Sequence, residues 1–498
     1  MHDRASPLIF EQGQPGRANR YVASDATLEG YLPADAIRSD LPLPDSTELD
    51  VVRHYTRLSQ RTFGIDTGFY PLGSCTMKYN PRVNDAVANL PGFKDLHPFS
   101  PDELSQGALQ AMYELERSLA SLFGMAAFSL NPAAGAHGEL AALLIAKKYF
   151  AEHGDDARTT VIVPDTAHGT NPASASMCGF KVVSLKSDER GRVGVEALRR
   201  VLGADTAVCM MTNPNTLGLF EDHIAEITRA VHDVGGLMYY DGANANALMG
   251  IARPGDMGFD LMHLNLHKTF TIPHGGGGAG AGPLGVAQRL VDYLPTPVVR
   301  VRGAGGDGAS RDENGTAFWL DYEVPKSIGP VRSFWSNFAH VVRALAYLYA
   351  NGLEGLTDVS RLAVLNANYV RVKVQKFLET PYPETCRHEF VASAADLKKE
   401  TGVRAVDIAK ALLDRGFHAP TMYFPLIVPE CLMIEPTETE SKETLDSFVD
   451  ALEEIVVMAK RDPQKVMNAP EHTPVARVDE TRAARHPDLR WHPPASPA

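Results

Sequence analysis

The sequence predicts an α/β protein: a mostly parallel sheet covered on both faces, followed by a smaller C-terminal α/β domain. Three observations carry this. Between residues 101 and 335, short apolar runs alternate with segments of helical period. The runs TTVIVP, TAVCMM and GLMYYD are apolar throughout, as in strands buried on both faces. Residues 353–460 then show their own mixture, with HEFVAS, YFPLIV and SKETLDSFVDALEEIVVMA.

The elements follow in order. Residues 1–50 are rich in Asp, Pro and Ser and weakly periodic; they read equally as an extended arm or a frayed terminus. Residues 51–99, with FGIDTGFYPLGSCTMKYNPR, read as an ordered loop, and long ordered loops often carry function. A helix is expected over 105–123, stopped by Gly124. AAFSL is a strand, followed by a turn and a helix over 139–150. TTVIVP and KVVSL are strands, 195–202 a helix, TAVCMM a strand and 222–234 a helix. GLMYYD and FDLMHL are strands, and 336–352 is a helix. The expected division is an N-terminal arm and active-site loop (1–100), a large domain (101–335), a small domain (336–467) and a mobile tail (468–498).

Composition excludes some functions. The 498 residues carry a net charge of −13, which disfavours nonspecific binding to nucleic acid or anionic membranes. No apolar run approaches the roughly 20 residues of a membrane helix, and the N-terminus does not read as a secretory signal. Five widely spaced cysteines without a C-x-x-C suggest reduced, cytoplasmic usage, with neither a disulfide framework nor a zinc site.

Four segments could carry chemistry. Lys268 follows the strand FDLMHL and precedes Gly275–Gly278, at the edge where parallel sheets bind ligands. A lysine desolvated there can attack a carbonyl and form a Schiff base; a surface lysine in a loop is the competing reading. Asp241 ends GLMYYD one α/β step earlier. A strand-end carboxylate beside such a lysine is the arrangement that keeps a pyridoxal ring nitrogen protonated, although singly it reads more readily as a helix cap. The turn NPAAGAHGE leads into a helix whose free amides could hold a phosphate. His168, after TTVIVP, could stack on a cofactor ring, although lone histidines are more often structural. Gly275, Gly277 and Gly280, and Gly303, Gly305 and Gly308, match G-x-G-x-x-G, but glycine-dense runs do so by chance. His263 and His267 lack the glutamate of a zinc-protease motif.

With these residues in view, the chain resembles the glycine cleavage system P-protein family, in the form of its separate C-terminal-half chain. The likeness covers about 43–460 and rests on HYTRLSQRTFGIDTGFYPLGSCTMKYNPR, NPAAGAHGEL, AHGTNPASA, TNPNTLGLFE, YYDGANANA, LNLHKTF and GFHAPTMYFPLIVPECLMIEPTETESKETLD. The resemblance implies a fold-type-I, aspartate-aminotransferase-like fold binding pyridoxal 5'-phosphate. It makes Lys268 the Schiff-base lysine, Asp241 the ring-nitrogen partner and His168 the stacking residue. It places Gly135 and Ala136 in the phosphate turn with His267 nearby, and Thr212, Asn215 and Ala243 as cofactor neighbours. Ser74, Cys75 and Thr76 are expected to reach the active site. The implied activity is decarboxylation of glycine, with transfer of the aminomethyl group to a lipoylated H-protein. The implied partner is a homologous first subunit in a two-plus-two heterotetramer. Alternatives are another fold-type-I enzyme (serine hydroxymethyltransferase-like or an amino-acid decarboxylase), a non-catalytic subunit or a nucleotide-binding module.

Overall fold

The computed structural model describes residues 6–13, 16–17, 31–37, 43–303 and 317–491. Part of the expected N-terminal arm, the end of the expected tail, and Gly305 and Gly308 lie outside them. The chain divides into two compact units, residues 1–68 with 468–498, and residues 69–467.

In the smaller unit the helix Glu48–Ser59 occupies part of the expected loop region. Thr47 caps it, accepting from the Asp50 N–H while the Asp50 carboxylate accepts from the Thr47 N–H, so two helix-end donors are satisfied reciprocally. Phe10 stacks on Trp491 with ring centroids 5.0 Å apart.

The larger unit is built on seven strands: β1 (Ala127–Ser129), β2 (Thr160–Pro164), β3 (Lys181–Leu185), β4 (Thr206–Thr212), β5 (Leu237–Gly242), β6 (Leu261–Leu264) and β7 (Leu284–Val286). Their spatial order is β1-β7-β6-β5-β4-β2-β3. β2 through β6 pair in parallel, whereas β7 runs antiparallel to both β6 and β1. The sheet is thus mostly parallel, as expected, with one reversed strand of three residues.

Successive residues of a strand face opposite sides of the sheet. In β5, Leu237 and Tyr239 enter one apolar core, and Met238 and Tyr240 the other. In β4, Val208 and Met210 face the first core, and Cys209 and Met211 the second. Both faces are buried, so the strands read as unbroken apolar runs. Each fully buried side chain of this kind contributes roughly 1.5–3 kcal/mol. The same register puts Tyr239, Asp241 and His263 on one face, the face packed by the helix Gly135–Glu152.

The helix Gln106–Phe123 ends at Gly124, whose φ of +71° closes it in a left-handed cap. The helix expected to stop at residue 352 instead runs Phe338–Val374, with a break at Gly352, where φ is +60°. Further along, β10 (Phe390–Ser393), β11 (Thr421–Met422) and β12 (Cys431–Ile434) form an antiparallel sheet in the order β10-β12-β11. Between β7 and this sheet, β8 (Val298–Val301) pairs with β9 (Phe318–Asp321). YFPLIV, expected as a strand, is a turn: Tyr423 has φ +57° and the Val428 N–H donates to the Pro425 carbonyl. Apolar content without alternation misled there. Among the described residues no helix is long and apolar enough to cross a membrane.

Candidate active site

The carboxyl ends of β2, β4, β5 and β6 present His168, Thr212, Asp241 and Lys268 in order across the sheet. Thr212 and Asp241 are register partners on adjacent strands. Lys268 lies four residues past the end of β6, in a turn where its N–H donates to the Asn265 carbonyl at 3.0 Å. Among the described residues its ammonium has no hydrogen-bond or ion-pair partner. Its charge nevertheless acts on Asp241, His168, His263, His267, His274 and Cys75, which places these groups around one centre.

Asp241 is 3% exposed. Its Oδ2 accepts from Asn171 Nδ2 and its Oδ1 from the Ala243 N–H, each at 3.0 Å. Burial alone would raise its pKa. The His263 ring, these two donors and Lys268 outweigh burial and hold the carboxyl below its ordinary value. His263 Nε2 lies 3.6 Å from Asp241 Oδ1, and its Nδ1 bonds to the Tyr239 hydroxyl. Burial drives His263 down to about 4, so this imidazole is neutral at physiological pH.

Glu139, on the facing helix, is equally buried. It accepts from Asn171 Nδ2 at 3.0 Å and lies 2.9 Å from Thr170 Oγ1. Burial, and then the Asp241 charge, push its pKa up to about 8. Asn171 thus joins two carboxyl groups, only one of which is ionised at neutral pH.

The helix Gly135–Glu152 starts at the same edge, and no side chain caps it. A free first turn of amides on an 18-residue helix is suited to an anion. Gly135 has no room for a side chain, because a Cβ there would lie 2.0 Å from Asn265 Oδ1. Gly135→Ala should therefore displace Asn265 and the turn, weakening binding of an anion such as inorganic phosphate at least about tenfold, as read by equilibrium titration. Ala136 is exposed beside it. His267 accepts from the Ala281 N–H at 3.4 Å and is pushed down to about 3, chiefly by burial, so it is a neutral neighbour of this turn.

Asn215 lies differently. Its Nδ2 donates to the Gly191 carbonyl and to Glu221, and its Oδ1 accepts from the Leu217 and Leu219 N–H groups. Its amide is fully used in shaping its own loop, which leaves no polar atom for a ligand. Thr212 Oγ1, by contrast, is buried and unpartnered.

The loop with Ser74, Cys75 and Thr76 is held against this edge by buried carboxylates. Ser74 and Thr76 have φ of +63° and +48°. Ser74 N–H donates to Glu389 at 2.6 Å, and Thr76 donates to Glu435 through its N–H (2.9 Å) and hydroxyl (2.7 Å). Asn244, just past Asp241, also donates to Glu435, at 2.8 Å. Farther along, buried Lys78 bonds Glu438 at 2.7 Å and Asn246 at 2.9 Å. Burial opposes the Lys78 charge, but Glu438 raises its pKa and keeps it ionised. Lys78→Ala should cost about 3–5 kcal/mol in urea unfolding, because it strands the Glu438 charge. Cys75 is pushed up, chiefly by burial, so it is a poor thiolate despite the nearby Lys268.

Glu139, Asn171, Glu389, Glu435 and Lys78 were not singled out in the sequence, and His263 was weighed there only as a metal ligand. Their signal was charge or amide groups bordering apolar runs, as in HEFVAS and LMIEPTE. A cavity of about 750 Å³ lined by Arg117, Ile251, Arg253, Tyr349 and Leu356 contains none of the site residues.

The family described as glycine cleavage system P-protein matches residues 35–320, and that described as glycine dehydrogenase, C-terminal domain, matches residues 359–474. A probable glycine dehydrogenase (decarboxylating) subunit 2 of Desulforamulus reducens is 54% identical over 491 residues, covering 98% of this chain and 99% of the relative. Its namesake in Pyrococcus horikoshii is 53% identical, covering 97% and 95%. Among solved structures, a glycine decarboxylase (P-protein) of the glycine cleavage system, in inhibitor-bound form, superposes with a TM-score of 0.70 at 23% identity, covering 86% of this chain and 93% of that one. A NifS-like protein does so at 0.59 and 16%, covering 78% and 100%.

Proposed function

The chain belongs to the glycine cleavage system P-protein family, and from that premise we propose how its residues perform the reaction. The activity is decarboxylation of glycine by a fold-type-I enzyme. The observation that carries the residue assignments is the convergence of Lys268, Asp241 and His168 on one sheet edge beside an uncapped helix start.

These residues fit pyridoxal 5'-phosphate. Lys268 offers an amine without a partner among the described residues, Asp241 an ionised carboxylate, and Gly135 and Ala136 a first turn of amides for the phosphate. When bound, the cofactor supplies an electron sink for the pair released as CO2 leaves glycine.

Lys268 would hold the cofactor through its amine. Asp241 would keep a proton on the ring nitrogen, its own charge held by the Asn171 and Ala243 donors before substrate arrives. His168 would cover the ring and hold a proton at Nε2. Thr212, whose Oγ1 is buried and unpartnered, and Ala243 would be the remaining neighbours of that group. The Ser74–Thr76 loop, braced by Glu389 and Glu435, would shield the substrate carboxylate from water, which favours its loss.

The aminomethyl group would pass to the lipoyl arm of an H-protein. The name of the relatives supports a partner subunit, here taken as a homologous first subunit in a two-plus-two assembly. Five free cysteines support a cytoplasmic location.

The test is the visible spectrum of the purified chain before and after borohydride, with peptide mapping. Expected is a bleachable band mapping to Lys268. Glycine with a lipoylated carrier should then release CO2, and folate-dependent exchange should not. A chain that stays colourless with added cofactor, alone and with the first subunit, would favour a non-catalytic subunit.

A further inference from the structure

His388 precedes Glu389 at the start of β10 and is 1% exposed. Neither nitrogen of its ring has a hydrogen-bond partner among the described residues. An imidazole carries at least one N–H, and burying both nitrogens unmet is costly. Its Nε2 lies 3.6 Å from Glu389 Oε1, too far for a hydrogen bond. Two ligand atoms held about 2.1 Å from one tetrahedral ion stand roughly 3.4 Å apart, so this separation suits a shared ion better than a shared proton. Glu435, also fully buried, brings a third donor atom within 4.8 Å of the other two.

The oxygens have capacity left. Glu389 Oε2 accepts from the Ser74 N–H, and its Oε1 accepts from none of the described residues. Glu435 Oε1 accepts from Thr76 Oγ1 and Asn244, but Oε2 only from the Thr76 N–H. Phe390 pairs with Ile434, so Glu389 and Glu435 continue the β10–β12 ladder at its end. Like charges placed opposite in an antiparallel pair repel, and buried charges are ordinarily paired or bound to a metal. Lys268 acts on both His388 and Glu389, but one ammonium does not balance two carboxylates.

We propose that His388, Glu389 and Glu435 are the ligands of one divalent first-row cation of the Zn²⁺ class. One imidazole and two carboxylates suit such an ion, whereas Ca²⁺ and Mg²⁺ favour oxygen alone. The set contains no cysteine, so cysteine spacing gives no sign of it. Because the same carboxylates hold the Ser74–Thr76 loop, the ion ties that loop to β10 and β12. Glu139, Asp241 and His263 also lie within reach of one ion, but there His263 Nδ1 is bonded to Tyr239 and every carboxylate oxygen already meets a donor.

The test uses the full chain, freed of cofactor and metal by dialysis against a chelator, so its outcome does not depend on the pyridoxal assignment. Calorimetric titration with Zn²⁺ alone should show one equivalent bound, with Kd of about 1 μM or tighter. X-ray absorption of the zinc-loaded wild type should show one imidazole and otherwise oxygen ligands. His388→Ala and Glu389→Gln should each weaken binding about a hundredfold or more, with circular dichroism showing the fold retained, and His263→Asn should leave it unchanged. Should the variants fail to fold, the wild-type titration and ligand shell decide alone. No zinc binding by the wild type, a sulfur or second imidazole among the ligands, or unchanged affinity in folded His388→Ala would overturn the site.

Discussion

Lys268→Ala is expected to abolish both covalent attachment of pyridoxal phosphate and turnover. Among the described residues, the buried lysine nearest in sequence to the Ser74–Thr76 loop, Lys78, is tied to Glu438 and Asn246 and is not available to replace it. The borohydride-reduced peptide should disappear, and added amines should not restore wild-type rates. The loss also has an electrostatic signature. The Lys268 charge lowers the pKa of His168, so removing it should move the His168 titration upward. Retained wild-type turnover would refute the assignment of Lys268, whatever the spectrum showed.

Asp241→Asn should retain the cofactor but lose about a hundredfold or more in turnover, the scale of removing one preorganised electrostatic partner. The carboxylate accepts from Asn171 on one oxygen and from Ala243 on the other. An asparagine has one acceptor oxygen and would set its own NH₂ against one of these donors. The cofactor-free protein should therefore also lose about 1–3 kcal/mol of stability. Measuring both separates the effects: the stability loss is structural, and the turnover loss at saturating cofactor and glycine is chemical. A rate within a few-fold of wild type would mean that the ring charge is not set by Asp241.

The sheet was legible because its strands are buried on both faces, so Val208 to Met211 and Leu237 to Tyr240 are apolar without interruption. The strand-end residues were legible for the same reason. Where an apolar run stops at Asp241, or a lysine follows LMHLNLH, the polar group stands at the ligand edge. Helical neighbours gave no such contrast. Glu139 sits on a helix, where a glutamate ordinarily faces water, and only the register of Tyr239, Asp241 and His263 shows what it meets. Asn215, a cofactor neighbour only by the resemblance, spends its amide within its own loop, a use no local pattern announces. The braces at Glu389, Glu435 and Glu438 are more than 300 residues from the loop they hold. No local pattern encodes such pairs.

That separation bears on how the chain comes off the ribosome. Ser74 is bonded to a residue 315 positions later, and Thr76 and Lys78 to residues 359 and 360 positions later. At about 5–20 residues per second, the Thr76 segment waits on the order of twenty seconds to a minute for its counterpart to be made. During that interval the nascent β4–β6 region can already condense from near-neighbour contacts. The Lys78 ammonium still lacks Glu438, and the positive-φ residues Ser74 and Thr76 still lack Glu389 and Glu435. Catalytic competence is therefore a late event in biogenesis: a nascent chain stalled before residue 435 can contain the whole seven-stranded sheet and still lack a closed centre.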